Sequence, residues 1–213
     1  MNLEYVISKI KLRLKGTLPG RNIQLSLYTQ PWLRDYEARI REFEESNTPT
    51  KQSSVIILLY EINNQIYFPL IRRPIYSGVH SGQIGLPGGK KDPNDIDLID
   101  TALRECYEEI GIDQTEIQVL GTLTPVFIPP SMFWVNVVVG YIQTTPKFIP
   151  DTREVAELIE FPLVELLKEE NVGFRQVSTS GSGLMQMPGY VYKDHFIWGA
   201  TSMILTELKD LIK

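Results

Sequence analysis

The chain has one cysteine, Cys106, and two histidines in 213 residues. A lone thiol excludes an internal disulfide framework and fits a reducing compartment. Basic excess is missing too. The net charge of −5 gives no electrostatic footprint for a nucleic-acid polymer, so any nucleotide ligand is expected to be small. No apolar run approaches membrane-spanning length and no signal-peptide core is legible at the N-terminus, so no membrane partner is expected and the cytoplasm is the expected compartment. Internal repeats and low-complexity tracts are absent. What is present, 43% hydrophobic and 22% charged residues, suits a soluble globular protein with a sizeable core. The length suits one large domain with a small appended segment.

Along the chain, Val6, Ile7, Ile10 and Leu14 recur at helical spacing over residues 3–15, and Gly20 falls in the loop that follows. A second helix is expected over 33–46 from Tyr36, Ile40 and Phe43, closed by Asn47-Thr48-Pro49-Thr50. Ser53–Tyr60 and Ile66–Ile71 read as strands joined by a turn at Asn63-Asn64. Further β-branched runs occupy 117–127 and 132–142. The second is too continuous for a half-exposed strand, and the connection is stiffened by Pro125, Pro129 and Pro130. Pro162 can open a short helix over 163–169. A hairpin is expected from 173–179 and 184–193 around Ser180-Gly181-Ser182-Gly183, and a terminal helix from Trp198 to Ile212. Strands mixed with helices over this length imply an α/β sandwich with a mixed sheet.

The most informative segment is Gly88–Gly111. On a helix, Glu105, Glu108 and Glu109 stand three and four residues apart and share one face. Ile99, Ala102, Leu103, Cys106 and Ile110 fall opposite, which makes Cys106 a packed thiol. Like charges at this spacing repel by up to about 0.5 kcal/mol per pair. They also crowd toward the C-terminal turn, where the helix dipole disfavours anions, just before Gly111, which reads as the helix stop. Such a cluster calls for a compensating cation. Three carboxylates around one point suit a hard divalent ion, Mg²⁺ or Mn²⁺. Upstream, Gly85-Leu86-Pro87-Gly88-Gly89-Lys90 lets backbone approach a ligand closely, and Asp92-Pro93-Asn94-Asp95 reads as a turn, with Asp95 or Asp97 as the N-cap.

This loop, turn and acidic helix resemble the signature of the Nudix hydrolases: a glycine, a spacer, an acid, a spacer, then Arg-Glu-x-x-Glu-Glu-x-Gly. Arg104, Glu105, Glu108, Glu109 and Gly111 match it together with Pro87-Gly88-Gly89; Asp95 stands in the acid's place and the second spacer is one residue longer. The resemblance implies a Nudix-type α/β/α sandwich with the acidic helix on one face of the sheet. The division it implies is an N-terminal helical extension over 1–50 and a Nudix hydrolase domain over 51–213. It further implies a Mg²⁺- or Mn²⁺-dependent hydrolase with Arg104, Glu105, Glu108 and Glu109 in the catalytic set, Glu105, Glu108 and Glu109 as metal ligands, and Arg104 orienting the glutamates. As general base, Glu108, Glu154 and Glu157 all stand open.

Immediately before the motif, Arg73, His80, Gly82 and Gln83 resemble the additional signature of the coenzyme A diphosphatase branch, as do Glu154-Val155-Ala156-Glu157 and Ile197-Trp198-Gly199-Ala200-Thr201. Pro74 stands where that branch has a small hydroxyl residue, and Gly78 where it has a second arginine. The branch implies cleavage of coenzyme A or acyl-CoA to 3′,5′-ADP and a 4′-phosphopantetheine moiety, with Arg73, His80, Gln83, Gly88 and Gly89 at the substrate. Rivals are a Nudix pyrophosphatase for ADP-ribose or a (deoxy)nucleoside triphosphate, and a non-catalytic ligand-sensing module. Phe133, Trp134 and Trp198 add apolar surface, and with family habit they imply a homodimer.

Overall fold

A computed structural model describes residues 2–46, 48–77, 80–129, 131–179 and 183–213. Gly78 and Val79, Ser180, Gly181 and Ser182 (expected from the sequence to form a turn), and Asn47 and Pro130 lie outside them. Three helices come first: α1 (Leu3–Leu14), the short α2 (Gly20–Gln24) and α3 (Gln30–Glu45). Asn2 caps α1 by accepting from the Tyr5 N–H at 2.9 Å, which satisfies an otherwise orphaned donor. The segment around Gly20, expected as loop, makes the single turn of α2 because its neighbours bond inward. Gly20 N–H, Gln24 Nε2 and Thr124 Oγ1 all donate to the buried Glu207 carboxylate, at 3.1, 2.8 and 2.7 Å.

The sheet contains β1 (Lys51–Ile62), β2 (Gln65–Arg72), β3 (Ile84–Gly85), β4 (Gly88–Lys90), β5 (Gln118–Ile128), β6 (Phe133–Tyr141) and β7 (Glu157–Pro162). Its main path is β3-β2-β1-β6-β5, with β4 added to β1 and β7 to β2. β1 runs parallel to β6 and antiparallel to β2 and β4, so the sheet is mixed. Side chains alternate across it with period two. Ile57 and Leu59 point into a core shared with α1, α3 and the last helix, α6 (Ala200–Ile212). Ile56 and Leu58 point the other way, onto Ala102, Cys106 and Ile110 of α4 (Leu98–Ile110). Burial on both faces is why β1 and β6 read as unbroken apolar runs. These are the three layers of an α/β/α sandwich.

A second, three-stranded sheet joins β8 (Val172–Thr179), β9 (Gly183–Tyr192) and β10 (His195–Trp198), preceded by the short α5 (Leu163–Leu167). Trp198, expected as the first residue of the terminal helix, is instead the last of β10, paired with Gly189. The helix begins only after the turn at Gly199, so the apolar Phe196–Trp198 run serves a strand.

The helix that carries the acids is set by its ends. Asp97 caps it, accepting from Ile99 and Asp100 N–H at 2.8 Å each, which decides between the two candidate caps. Gly111 ends it in the left-handed region at φ 74°, its N–H bonded to the Tyr107 carbonyl at 2.9 Å. A Cβ at Gly111 would sit 2.7 Å from Ile149 Cβ and 2.9 Å from the Ile149 carbonyl oxygen. Gly111→Ala should therefore lower stability by about 2 kcal/mol or more, from the left-handed backbone and the clash together. Urea unfolding would check this; an unchanged midpoint and slope would contradict it.

Candidate active site

The site grows from the contact between the β4 loop and α4. β4 lies against Ser53–Val55 of β1, and a Cβ at Gly88 would overlap the Ser54 carbonyl oxygen. A Cβ at Gly89 would overlap the Glu105 carboxylate, so these two glycines let the loop backbone touch both the sheet and the acidic helix. Gly88 N–H donates to Glu109 Oε2 at 2.7 Å. Arg73 Nη2 donates to the Gly88 carbonyl at 3.1 Å and stands 4.0 Å from Glu109 Oε1.

Arg104 fills the space between loop and helix, and each of its five N–H donors has an acceptor. Nε and Nη2 fork onto Asp95 Oδ1 and Oδ2 at 2.8 and 3.1 Å. Nη1 reaches Glu105 Oε1 at 3.0 Å and Glu108 Oε2 at 2.8 Å, and Nη2 also reaches the Lys90 carbonyl at 3.1 Å. Asp95 is buried and accepts further bonds from Asp92 N–H and Thr101 Oγ1, both at 2.8 Å. Its carboxyl is held well below the usual range, chiefly by the Arg104 hydrogen bonds. Asp95 thus anchors Arg104 and leaves the cap to Asp97. The signal in the sequence was its place in the spacer, but nothing there says that it faces back toward Arg104.

The structure gathers a carboxylate trio different from the three glutamates of the motif. Oxygens of Glu105, Glu109 and Glu154 all lie within 4.8 Å of one another. Glu108 stands outside this group, with a half-exposed side chain paired to Arg104. Glu154 arrives on the segment before β7, which is tied to the end of α4 by Asp151 N–H to the Glu109 carbonyl at 3.0 Å. Ala156 N–H, bonded to the Arg72 carbonyl at 2.9 Å, fixes the other side. Glu157, the remaining candidate base, accepts from Arg72 Nε at 2.7 Å and lies 3.5 Å from His195 Nε2, while His195 Nδ1 lies 2.9 Å from Arg72 Nη2. The buried His195 therefore braces the strand pair beside the site and stands apart from the trio.

Electrostatically the trio is under tension. Glu109 is 1% exposed, and burial pushes its carboxyl up to about 8, with Glu105 and Glu154 adding to the rise and Arg73 and the Gly88 N–H opposing it. Glu105 is raised too, mainly by burial, against the pull of Arg104. Three hard oxygen donors at this spacing, one of them buried and short of positive charge, fit a divalent cation such as Mg²⁺ or Mn²⁺. Cys106 packs beneath, its thiol pushed up to about 12 by burial, and is no nucleophile.

Arg73, His80, Gln83, Gly88 and Gly89 all line one cleft of about 440 Å³. His80 Nδ1 and Gln83 Oε1 are 3.0 Å apart, and the Gln83 carbonyl accepts from Arg73 N–H at 3.0 Å, so the three form one rim. Phe133 and Trp198 also face this cleft, and Trp134 packs on Phe127 at 5.2 Å. No helix among the described residues is long and apolar enough to cross a membrane.

A raised folded-state pKa favours the protonated acid. The contribution of Glu109 to stability is therefore complete below about 4.5 and is lost as pH rises through about 8, with Glu105 adding in the same direction. Metal-free protein should lose stability over that window, on the order of a few kcal/mol, and saturating Mg²⁺ should flatten the slope. Glu109→Gln should remove most of it. Denaturant midpoints taken from pH 5 to 8.5 with chelator would show this; an identical slope in Glu109→Gln would refute the assignment.

The sequence profile described as the NUDIX domain matches residues 50–179. Among curated relatives, the human mitochondrial coenzyme A diphosphatase NUDT8 is 36% identical over 135 residues, which is 63% of this chain and 57% of that protein. This chain thus matches little more than half the length of the human relative. The uncharacterized Nudix hydrolase NudL of Yersinia enterocolitica is 37% identical over 139 residues, 65% of this chain and 70% of that one. Among solved structures, a MutT/nudix family protein from Enterococcus faecalis aligns over 84% of this chain and 73% of its own, at TM-score 0.48 and 18% identity. The profile covers more than half the residues, including the glycine loop and the whole of the acidic helix, and on that ground the chain belongs to the Nudix hydrolase family.

Proposed function

We propose that the chain is a divalent-cation-dependent diphosphatase of coenzyme A or acyl-CoA, releasing 3′,5′-ADP and a 4′-phosphopantetheine moiety. The observation that carries this reading is the adjacency of two groups. Gly88 and Gly89, which line a cleft together with Arg73, His80 and Gln83, also touch the carboxylates of Glu109 and Glu105, and Glu154 joins those two. The branch resemblance of the segment from Arg73 to Gln83 supports coenzyme A as substrate, as does the similarity to NUDT8.

Glu105, Glu109 and Glu154 would hold the cation, which when bound supplies charge neutralisation for the diphosphate and acidifies water. The chain's own groups do the rest. Arg73 offers a fixed positive charge at the Gly88 turn, where the phosphates approach the backbone. Arg104 holds Glu105 and, through Asp95, the loop itself. Of the three candidate bases, Glu108 and Glu157 are tied to arginines, whereas the exposed Glu154 carboxylate accepts no hydrogen bond among the described residues. The Glu154 oxygen that does not hold the cation would take the proton of the attacking water. The water oxygen bonds to one phosphorus, the anhydride P–O bond breaks, and the departing phosphate keeps the electron pair.

The test is a substrate panel of coenzyme A, acetyl-CoA, ADP-ribose and the nucleoside triphosphates, each with Mg²⁺ and with Mn²⁺, and products identified by mass. The expected result is 3′,5′-ADP from the coenzyme A compounds at the highest kcat/KM, with Glu105→Gln lower by about a hundredfold or more and still folded. Faster cleavage of ADP-ribose or of a triphosphate would shift the substrate assignment. No cleavage of any compound would support a sensing module.

A further inference from the structure

The cleft has two walls of different chemistry. One is the rim and glycine loop described above. The other is built by Trp32 and Tyr36 of α3, Met185 and Met187 of β9, and Met203 and Ile204 of α6. Every residue of that second wall lies outside the stretch 50–179 that matches the family profile. The N-terminal helices, the hairpin sheet and α6 bring the wall together over the site.

Its chemistry is apolar and adaptable. Three of the chain's five methionines line it, and the unbranched, polarisable methionine side chain reshapes readily around apolar ligands of differing length. Hydrogen-bonding capacity is scarce. The Tyr36 hydroxyl is spent on the Phe127 carbonyl at 2.8 Å, and Asp35 and Arg39 at the rim pair with each other at 2.9 Å. The Trp32 ring is engaged by two neighbours: it stacks on Tyr36 with centroids 5.0 Å apart and meets Tyr28 at a tilt, at 4.0 Å. A nucleobase at this wall would need partners for its polar edge. A flexible hydrocarbon chain needs only dry volume, and a cleft of about 440 Å³ is of the size that takes small-molecule ligands.

We infer that this second wall is a subsite for an apolar chain carried by the diphosphate substrate, namely the acyl group of a coenzyme A thioester, and that it sets a preference for acylated over free coenzyme A. The inference rests on the diphosphatase reading, because Gly88, Gly89 and Arg73 of the same cleft are what place the chain-bearing molecule beside the carboxylates.

The experiment has two arms. In the first, kcat/KM is measured for free coenzyme A and its acetyl, hexanoyl and decanoyl thioesters, with wild type and Met185→Gln. The expected wild-type series rises by up to about fourfold per methylene until the cleft is filled. Met185→Gln should cut the ratio of decanoyl to free coenzyme A by about tenfold, and that ratio is insensitive to a general loss of active protein. A flat or falling series, or an unchanged ratio in the variant, would overturn the subsite. The second arm needs no turnover. Trp32 and Trp198 both line the cleft, so tryptophan fluorescence is followed on titration with S-decanoyl-N-acetylcysteamine, a thioester without a diphosphate, against N-acetylcysteamine. A saturable change with the decanoyl compound alone supports the subsite even if no coenzyme A compound is cleaved, an outcome that would sink the diphosphatase reading by itself. No change with either compound would overturn the subsite whatever the turnover shows.

Discussion

The guanidinium of Arg104 is the contact on which the rest of the site depends. Its five hydrogen bonds join three parts of the chain: the turn at Asp95, the β4 strand through the Lys90 carbonyl, and the helix at Glu105 and Glu108. An arginine cannot lose its proton in a protein, and its planar fork fits a carboxylate with two parallel bonds. With Asp95 buried and itself held by Asp92 and Thr101, the fork is fixed at its far end. Glu105 is thereby placed against Gly89, where no side chain fits, and the glycine loop is drawn down onto the helix. A lysine would keep the charge and lose this geometry.

Holding one glutamate in place leaves the others exposed to mutual repulsion. Glu109 is pulled inward by the Gly88 N–H and loses water in the process; Glu154 is brought to it by the backbone bonds of Asp151 and Ala156. The fold thus spends stability on concentrating negative charge, a conflict between local energetics and architecture of the kind found at functional sites. It can afford this because the sheet beneath is buried on both faces, between the α4 layer on one side and α1, α3 and α6 on the other. A bound cation would relieve the conflict and would couple metal binding to the stability of the loop and helix together.

Legibility in the sequence followed the range of the interaction. Period and capping are local, so α1, α3, β1, β2, β5, β6 and the β8–β9 hairpin were readable to within a few residues, and so was α4 with its stop at Gly111. The acids on one face of α4 were readable for the same reason. Their division of labour was not. Helical spacing puts Glu108 with Glu105 and Glu109, but it is the pull of Arg104, anchored by Asp95, that turns Glu108 aside. Glu154 joins the site through bonds made across the fold, which leave no periodic trace. β3 and β4 are two and three residues long, too short to carry an alternation, and Trp198 looked helical because its strand runs into α6 with only Gly199 between them. The apolar wall of the cleft is assembled from α3, β9 and α6, so no window of sequence contains it.

Glu105, Glu109 and Glu154, rather than the three glutamates of the helix, are the set whose geometry would hold a cation. Anomalous diffraction from crystals grown with Mn²⁺ tests this most directly. A manganese peak is expected about 2 Å from oxygens of all three residues, with Glu108 still bonded to Arg104. A peak ligated by Glu108 in place of Glu154, or none in the cleft at saturating Mn²⁺, would contradict it.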